Sequence, residues 1–184
     1  MRVHRGLGAA GAVAALLTAA FAGAATAQGT VAIVGVNVIP MERENEVRRD
    51  QTVIVRDGVI ATMGSSASTE VPAGATRVDG QGRWLIPGLA EMHGHIPGLN
   101  PANEAGSLQA QEDVLFLYVA GGATTVRGMQ GHPAHLPMRE RVERGELVGP
   151  RLYLSSPAMS ANSAPDAATA ERLVREHREA GYDH

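Results

Sequence analysis

The stretch that decides the fold of this chain is Asp79-Gly-Gln-Gly-Arg-Trp-Leu-Ile-Pro-Gly-Leu-Ala-Glu-Met-His-Gly-His95, which ends in two histidines one residue apart after an apolar run. Because successive side chains of a β-strand point to opposite faces, we expect His93 and His95 to share one face while Gly94 turns away. Two neutral imidazoles side by side can bind one divalent metal ion. The motif therefore predicts a strand that ends in a pair of metal ligands.

The composition excludes several kinds of chemistry. The chain has 16 basic and 19 acidic residues and a net charge of −3. It therefore lacks the excess of basic residues that would indicate nucleic-acid binding. Every basic residue is Arg, and the absence of Lys excludes chemistry on a lysine amine within this chain. The absence of Cys likewise excludes disulfides and thiolate metal ligands. Since aromatic residues make up only 3%, we expect a core built mainly from Val, Leu, Ile and Ala.

Residues 1–27 are typical of a secretory signal peptide. Arg2 and Arg5 give a positive start, residues 6–25 form an uncharged run rich in Ala, Leu and Val, and Ala25-Thr26-Ala27 is a small-x-small cleavage site. The run approaches the ~20 residues that span a bilayer, so an uncleaved membrane anchor is the alternative. Its Ala and Gly content and the cleavage signature favour removal. We therefore expect an exported protein, periplasmic or extracellular, without a stable membrane anchor.

Residues 28–88 predict a small β module. Asp57-Gly58 lies between two runs rich in β-branched residues, which is a strong hairpin signal because both residues tolerate positive φ. The predicted strands are Val31–Ile39, Thr52–Arg56, Val59–Met63, Arg77–Val78 and Arg83–Ile86, with exposed loops over Glu42–Asp50 and Ser65–Ala75.

Residues 89–184 predict alternating strands and helices. The strands are Leu89–His93, Ala123–Arg127 and Arg151–Ser155; the helices are Gln109–Ala120, Ala134–Arg144 and a segment that follows the capping signal Ser163-Ala-Pro-Asp166 and continues to Ala180. A strand–helix order repeated three times is typical of a parallel sheet with helical crossovers. A closed barrel of eight such units needs ~250 residues, so this region has the length of about three units.

Five motifs taken together resemble the metal-dependent amidohydrolase superfamily, in its imidazolonepropionase-like and Xaa-Pro-dipeptidase-like branch. They are Val53–Ile60, Val78–Leu89, Glu91–His95, Gly121–Arg127 and Gly145–Tyr153. The resemblance implies an α/β fold in which a (β/α)₈ TIM-type barrel is preceded by a small β-sandwich segment. It assigns residues 28–88 to the sandwich segment and residues 89–184 to about three βα units at the N-terminal part of the barrel. The chain differs at Gly128, where many relatives have Asp.

The resemblance also implies a site for one or two divalent metal ions, with zinc the expected metal. His93 and His95 match the first-strand ligands of the family, whereas the remaining ligands and the catalytic aspartate come from later strands. No catalytic residue is therefore predicted in this chain. Glu179-Ala-Gly-Tyr-Asp-His184 resembles the helix end that precedes strand four. We expect an N-terminal portion of a longer protein, and no appreciable hydrolase activity from the 184-residue chain alone.

Three further residues are candidates for contact with a substrate. Arg127 ends a predicted strand and suits either a substrate carboxylate or a structural salt bridge. His132 and His135 flank Pro133 in the region after the second barrel strand, which would lie at the mouth of the barrel. For these two histidines a solvated loop position is the favoured interpretation, and contact with a substrate is the alternative.

The activity implied by the resemblance is hydrolysis of carbon–nitrogen bonds, in a small-molecule amide or a dipeptide, by metal-activated water. One alternative is a catalytically inactive short metal-binding or interaction module. Another is a lactone or phosphotriester hydrolase, since one fold supports several chemistries. The sequence does not identify the substrate, the metal or the oligomeric state.

Overall fold

The computed structural model describes residues 29–99 and 107–184, so the predicted signal peptide lies outside the described residues. The chain divides into two compact units, one made of the chain up to Val38 with Arg48–Trp84, the other of Ile39–Val47 with Leu85–His184. The first unit ends at Trp84, whereas the sequence predicted the boundary after residue 88. Within the described ranges, no helix is both long enough and apolar enough to span a bilayer.

The first sheet has five strands: β1 (Val31–Val38), β2 (Arg48–Arg56), β3 (Val59–Ser65), β4 (Thr76–Asp79) and β5 (Trp84–Leu85). Their order is β3-β2-β1-β4, and β5 pairs with β1. β1 is antiparallel to β2 and parallel to β4.

The predicted hairpin between β2 and β3 is confirmed. Arg56 pairs with Val59, and the turn residues Asp57 and Gly58 have φ values of 50° and 76°. These positive values are the ones that a two-residue hairpin turn requires. The expected loop before β2 is shorter than predicted, because Arg48 already pairs with Val38 of β1.

The second unit contains β6 (Leu89–Gly94), α1 (Leu108–Ala120), β7 (Ala123–Gly128), α2 (His135–Glu143), β8 (Arg151–Leu154) and α3 (Ala167–Glu179). The three strands form a parallel sheet in the order β6-β7-β8. The prediction of three strand–helix units is therefore confirmed.

One face of this parallel sheet carries the core. The buried cluster is contributed by the sheet, by α1, by α2 and by the residue two positions after β6: Ile96, Leu115, Val126, Met138, Leu152 and Leu154. Along β7 and β8 these residues alternate with the half-buried Arg127 and the exposed Tyr153, which pair in register. Because side chains alternate along a strand, Arg127 and Tyr153 lie on the face opposite the core.

The capping signal of α3 acts differently from the prediction. The N-cap is Asp166, whose Oδ1 accepts a 2.7 Å hydrogen bond from the Thr169 amide. This bond to the ionised carboxyl is the main cause that lowers the pKa of Asp166. Ser163, at the predicted cap position, instead accepts a 2.9 Å bond from the Ser160 amide in the preceding turn. The prediction of a serine cap is wrong, because the Ser163 hydroxyl is hydrogen-bonded within this local turn and not to the first turn of α3.

Candidate metal site

The two histidines of the His-Gly-His motif lie side by side. His93 is in β6 and His95 follows the strand directly; both are exposed, and their ring centroids are 5.3 Å apart with an interplanar angle of 28°. Gly94 faces the other way, since an added Cβ would lie 2.5 Å from Val126 Cγ1 and 3.1 Å from Tyr118 Oη. The expectation that the two rings share a face is confirmed.

A hydrogen bond orients the second imidazole. His95 Nδ1 lies 3.3 Å from Oε1 of Gln130. An amide oxygen only accepts, so this contact requires the hydrogen on Nδ1. In the neutral ring the lone pair of Nε2 is then available to a metal ion. Gln130 was not identified from the sequence, because its position just after β7 gives no local signal of this contact.

The donor set fits part of a metal coordination sphere. Two imidazoles are suitable ligands for a divalent transition metal, but catalytic zinc sites usually have three protein ligands. Over residues 29–99 and 107–184, no group of three or more His, Cys, Asp or Glu side chains could hold a metal ion. The nearby carboxylate of Glu91 instead accepts a 2.8 Å hydrogen bond from the backbone amide of His93. The described residues thus offer two ligands.

Side chains from α1 and α2 hold the backbone that follows β6. Tyr118 Oη accepts a 3.0 Å hydrogen bond from the His95 amide and donates a 3.3 Å bond to the His95 carbonyl. Two residues further on, the Pro97 carbonyl accepts bonds from Gln111 Nε2 at 2.6 Å and from His135 Nε2 at 3.0 Å. Tyr118 and Gln111 were not identified from the sequence, although their spacing of two helical turns places them on one face of α1.

His135 is part of this arrangement and not a solvated loop residue. It is the first residue of α2 and only 1% exposed. Burial lowers the pKa of His135 from its ordinary value of 6.5, and the charge of His132 lowers it further, against a smaller opposing effect of the bond to Pro97. Since the Pro97 carbonyl can only accept, Nε2 carries the hydrogen of the neutral ring. The prediction of a solvated loop histidine is wrong for His135, because the ring is buried and is hydrogen-bonded to the Pro97 carbonyl.

His132 lies against the same loop. It is half-buried, its Nδ1 accepts a 3.1 Å hydrogen bond from the Ala134 amide, and its ring centroid is 5.7 Å from that of His135. A Cβ added at Gly98 would approach His132 Cδ2 to 3.0 Å. The structure therefore brings His132 and His135 to the loop that follows the metal-ligand candidates. Contact of His132 with a substrate stays a prediction.

Arg127 lies on the strand next to the histidine pair. An irregularity in the register separates the pair Gly94–Gly128 from the pair Glu91–Val126, so Arg127 lies opposite residues 92–93 of β6. Its side chain lies on the face opposite the core. Its guanidinium makes no hydrogen bond or ion pair within the described ranges. The structural salt bridge, one of the two roles expected for it, has no partner in this part of the chain.

No family model matches the chain. Among curated proteins, the chain is similar to the imidazolonepropionase of Mycolicibacterium smegmatis (strain ATCC 700084 / mc(2)155), with 46% identity over 50 residues. The matched segment covers 27% of this chain and 12% of that protein. The chain is 29% identical over 108 residues to the enamidase of Eubacterium barkeri, covering 59% of this chain and 26% of that protein. Among solved structures, molinate hydrolase matches with a TM-score of 0.69 and 22% identity over 85% of this chain and 44% of that chain.

The sequence relatives and the structural neighbours are members of the amidohydrolase superfamily, which confirms the resemblance indicated by the sequence motifs. The mixed α/β architecture is consistent with part of an amidohydrolase domain. The chain spans about a quarter or less of the two curated relatives and less than half of the molinate hydrolase chain.

Proposed function

We propose that the protein is an exported, metal-dependent hydrolase of carbon–nitrogen bonds in small amides or dipeptides, and that His93 and His95 are two ligands of its divalent metal, zinc in the first instance. The observation that carries this proposal is the pair of adjacent imidazole rings at the end of β6, on the face away from the core. The names of the relatives, imidazolonepropionase and enamidase, support the type of bond.

The candidate residues of this chain would have separate roles in the reaction. A bound divalent metal would polarise the carbonyl of the substrate and lower the pKa of water toward ~7. His93 and His95 would hold the metal, and Gln130 would keep the His95 ring in the tautomer that presents Nε2. Arg127 lies on the neighbouring strand, and its guanidinium has no partner within the described ranges. It would bind a carboxylate of the substrate through paired hydrogen bonds.

Metal binding is tested first, on the purified chain. Zinc is titrated against a competing chromophoric chelator in the wild type, in His93→Gln and in His95→Gln. His177→Gln is the matched control, because this histidine lies on α3 against Tyr182 and not in the candidate site. We expect each site substitution to weaken zinc binding at least about tenfold, the lower end of the effect of replacing even an outer-shell partner, and the control to leave it unchanged. Equal affinity in all variants would refute the assignment of ligands.

Hydrolysis is tested on the native protein isolated from its source and on the 184-residue chain separately. Substrates are N-acetyl amino acids, Xaa-Pro dipeptides, a lactone and a phosphotriester, each assayed before and after metal removal by a chelator. We expect metal-dependent amide or dipeptide hydrolysis by the native protein and none above free metal by the chain alone. Faster lactone or phosphotriester cleavage would favour that alternative, and zinc binding without any hydrolysis by the native protein would favour a metal-binding module.

The role of Arg127 has its own test. Binding of N-acetylglycine is compared with that of its neutral analogue N-acetylglycinamide by ligand-observed NMR, with the wild type and with Arg127→Met. We expect the carboxylate to bind more tightly than the amide only when the guanidinium is present. An unchanged preference in Arg127→Met would contradict a substrate-binding role.

A further inference from the structure

We propose that Tyr118 is a positioning residue for the candidate metal site, acting through the backbone of His95, and that Gln111 and His135 support it from the next turn of the chain. As far as it concerns metal binding, this inference rests on the proposed function. The three side chains come from α1 and α2, and none of them is a metal-ligand candidate.

The backbone of His95 leaves the sheet at the point where its side chain is needed. Gly94 is the last residue of β6 that pairs with β7, and the Met129 amide donates to the Gly94 carbonyl at 2.9 Å. The amide and the carbonyl of His95 have no strand partner in the described part of the chain. The Tyr118 hydroxyl satisfies both, since it uses its one hydrogen and one of its lone pairs.

A second contact fixes the chain two residues later. The Pro97 carbonyl uses both of its lone pairs, one toward Gln111 Nε2 and one toward His135 Nε2. These two side chains are 0% and 1% exposed, so the donors of both bonds are shielded from water.

The two helices that supply these donors are themselves joined. Arg141 of α2 forms a 2.7 Å ion pair with Glu112 of α1, and the side chains are 37% and 29% exposed. The donors on α1 and α2 are therefore held relative to each other. The backbone of His95 is fixed by the sheet on one side and by the side chains of these helices on the other.

This arrangement sets where the His95 ring lies relative to His93. With the backbone held by Tyr118 and the ring held by Gln130, the second imidazole has little freedom to leave its position 5.3 Å from the first. Two ligands that are already placed side by side bind a metal ion without the loss of conformational entropy that two free side chains would incur. Loss of the Tyr118 hydroxyl should therefore act on the metal without any direct contact to it.

The test compares Tyr118→Phe with the matched control Tyr182→Phe, which removes a hydroxyl that makes no hydrogen bond within the described ranges. Two readouts need no metal: hydrogen exchange of the His95 amide, and the nuclear Overhauser effect between the His93 and His95 rings. A third is the zinc dissociation constant, and a fourth is the urea midpoint of unfolding. We expect Tyr118→Phe to speed exchange at His95 about tenfold or more, to weaken the ring–ring signal and to raise the zinc dissociation constant by about 10–100-fold, as for other outer-shell partners.

The outcomes separate the two proposals. If the wild type binds no zinc but Tyr118→Phe still loses the ring arrangement, the metal site is refuted and the positioning role stands. If both proteins bind zinc equally and keep the ring arrangement, the positioning role is refuted. Equal effects of Tyr118→Phe and Tyr182→Phe on zinc binding and on unfolding would also refute it, because the effect would then be general destabilisation.

A second pair of variants tests the support from His135. His135→Gln keeps an N–H donor that can reach toward the Pro97 carbonyl, whereas His135→Leu removes the donor. We expect the glutamine variant to retain most of the zinc affinity and the leucine variant to lose it. An equal loss in both would show that the imidazole acts through packing and not through its hydrogen bond.

Discussion

Gly94 is the position at which a single added methyl group should disturb both the packing and the histidine pair. A Cβ built there lies 2.5 Å from Val126 Cγ1 and 3.1 Å from Tyr118 Oη. Carbon atoms in good contact are ~3.5–4.0 Å apart, so the overlap with Val126 is about 1 Å. Val126 is fully buried in the core cluster, so its displacement would disturb the residues packed around it. We therefore predict that Gly94→Ala forces β6 away from its neighbour.

The size of the effect follows from two opposing contributions. Overpacking a well-filled core costs about 1–3 kcal/mol. Replacing glycine within a strand restricts the unfolded chain and regains roughly 0.5–1 kcal/mol. We expect a net loss of about 0–2.5 kcal/mol in the free energy of unfolding, toward the upper end because the overlap with Val126 is about 1 Å. Zinc affinity should also fall at least about tenfold, because the displaced strand carries His93 and the adjoining residue His95.

Urea unfolding followed by circular dichroism measures the first effect, and chelator competition measures the second. Gly29→Ala is the matched control, since nothing lies within 4 Å of a Cβ built at that glycine and its φ is not in the left-handed region. A Gly94→Ala protein that unfolds at the wild-type urea concentration and binds zinc with wild-type affinity would refute the reasoning for both packing and site.

Other substitutions test the core, the end of the sheet and the buried histidine. Leu115→Ala, at a position that is 0% exposed, should cost about 2–5 kcal/mol. Leu117 is 64% exposed, so Leu117→Ala should change the free energy of unfolding by no more than about 0.5 kcal/mol. Both effects are measured as urea midpoints, and similar midpoints for the two variants would contradict the assigned core. Asp183→Ala should cost about 1–3 kcal/mol, because it removes the Oδ2 acceptor of the buried Leu154 amide; a neutral result would show that another group replaces this acceptor. Burial lowers the pKa of His135 from 6.5, so the unfolded chain binds the proton first and stability should fall as the pH drops below 6.5. Unfolding midpoints of His135→Gln should depend less on pH in this range, and an unchanged dependence would assign the effect to other groups.

The parts of the fold that the sequence predicted are those governed by local rules. Asp57-Gly58 specifies a tight turn by its own conformational preferences, whatever the rest of the chain does. The alternation of strand side chains places His93 and His95 together in the same way, because both belong to one segment. The wrong prediction of Ser163 as a helix cap has the same local origin: two residues in one short stretch could cap the helix, and the sequence alone does not rank them.

The supporting contacts of the candidate site could not be predicted, because they join residues that are distant in the chain. Tyr118 is separated from His95 by 23 positions, and His135 from Pro97 by 38. From the sequence, a tyrosine in an apolar helix is predicted to be a core residue, and a histidine shortly after a proline is predicted to be a loop residue. The packing of α1 and α2 against the sheet brings their polar atoms to the backbone of His95 and Pro97, beyond the paired residues of β6. Buried polar groups require hydrogen-bond partners, but the sequence does not say which ones.

The charged groups around the candidate metal site bear on the kind of substrate that the proposed enzyme would bind. His93 and His95 are the candidate ligands, and the Arg127 guanidinium makes no hydrogen bond or ion pair within the described ranges. The Glu91 carboxylate, which is close to them in sequence, accepts a hydrogen bond from the His93 amide. A divalent cation held there would add positive charge beside Arg127, and these two like charges would repel each other. A substrate that brings a carboxylate to Arg127 and a carbonyl oxygen to the metal would relieve this repulsion. On the proposed function, we therefore expect the enzyme to prefer an anionic amide or dipeptide to a neutral ester or phosphotriester.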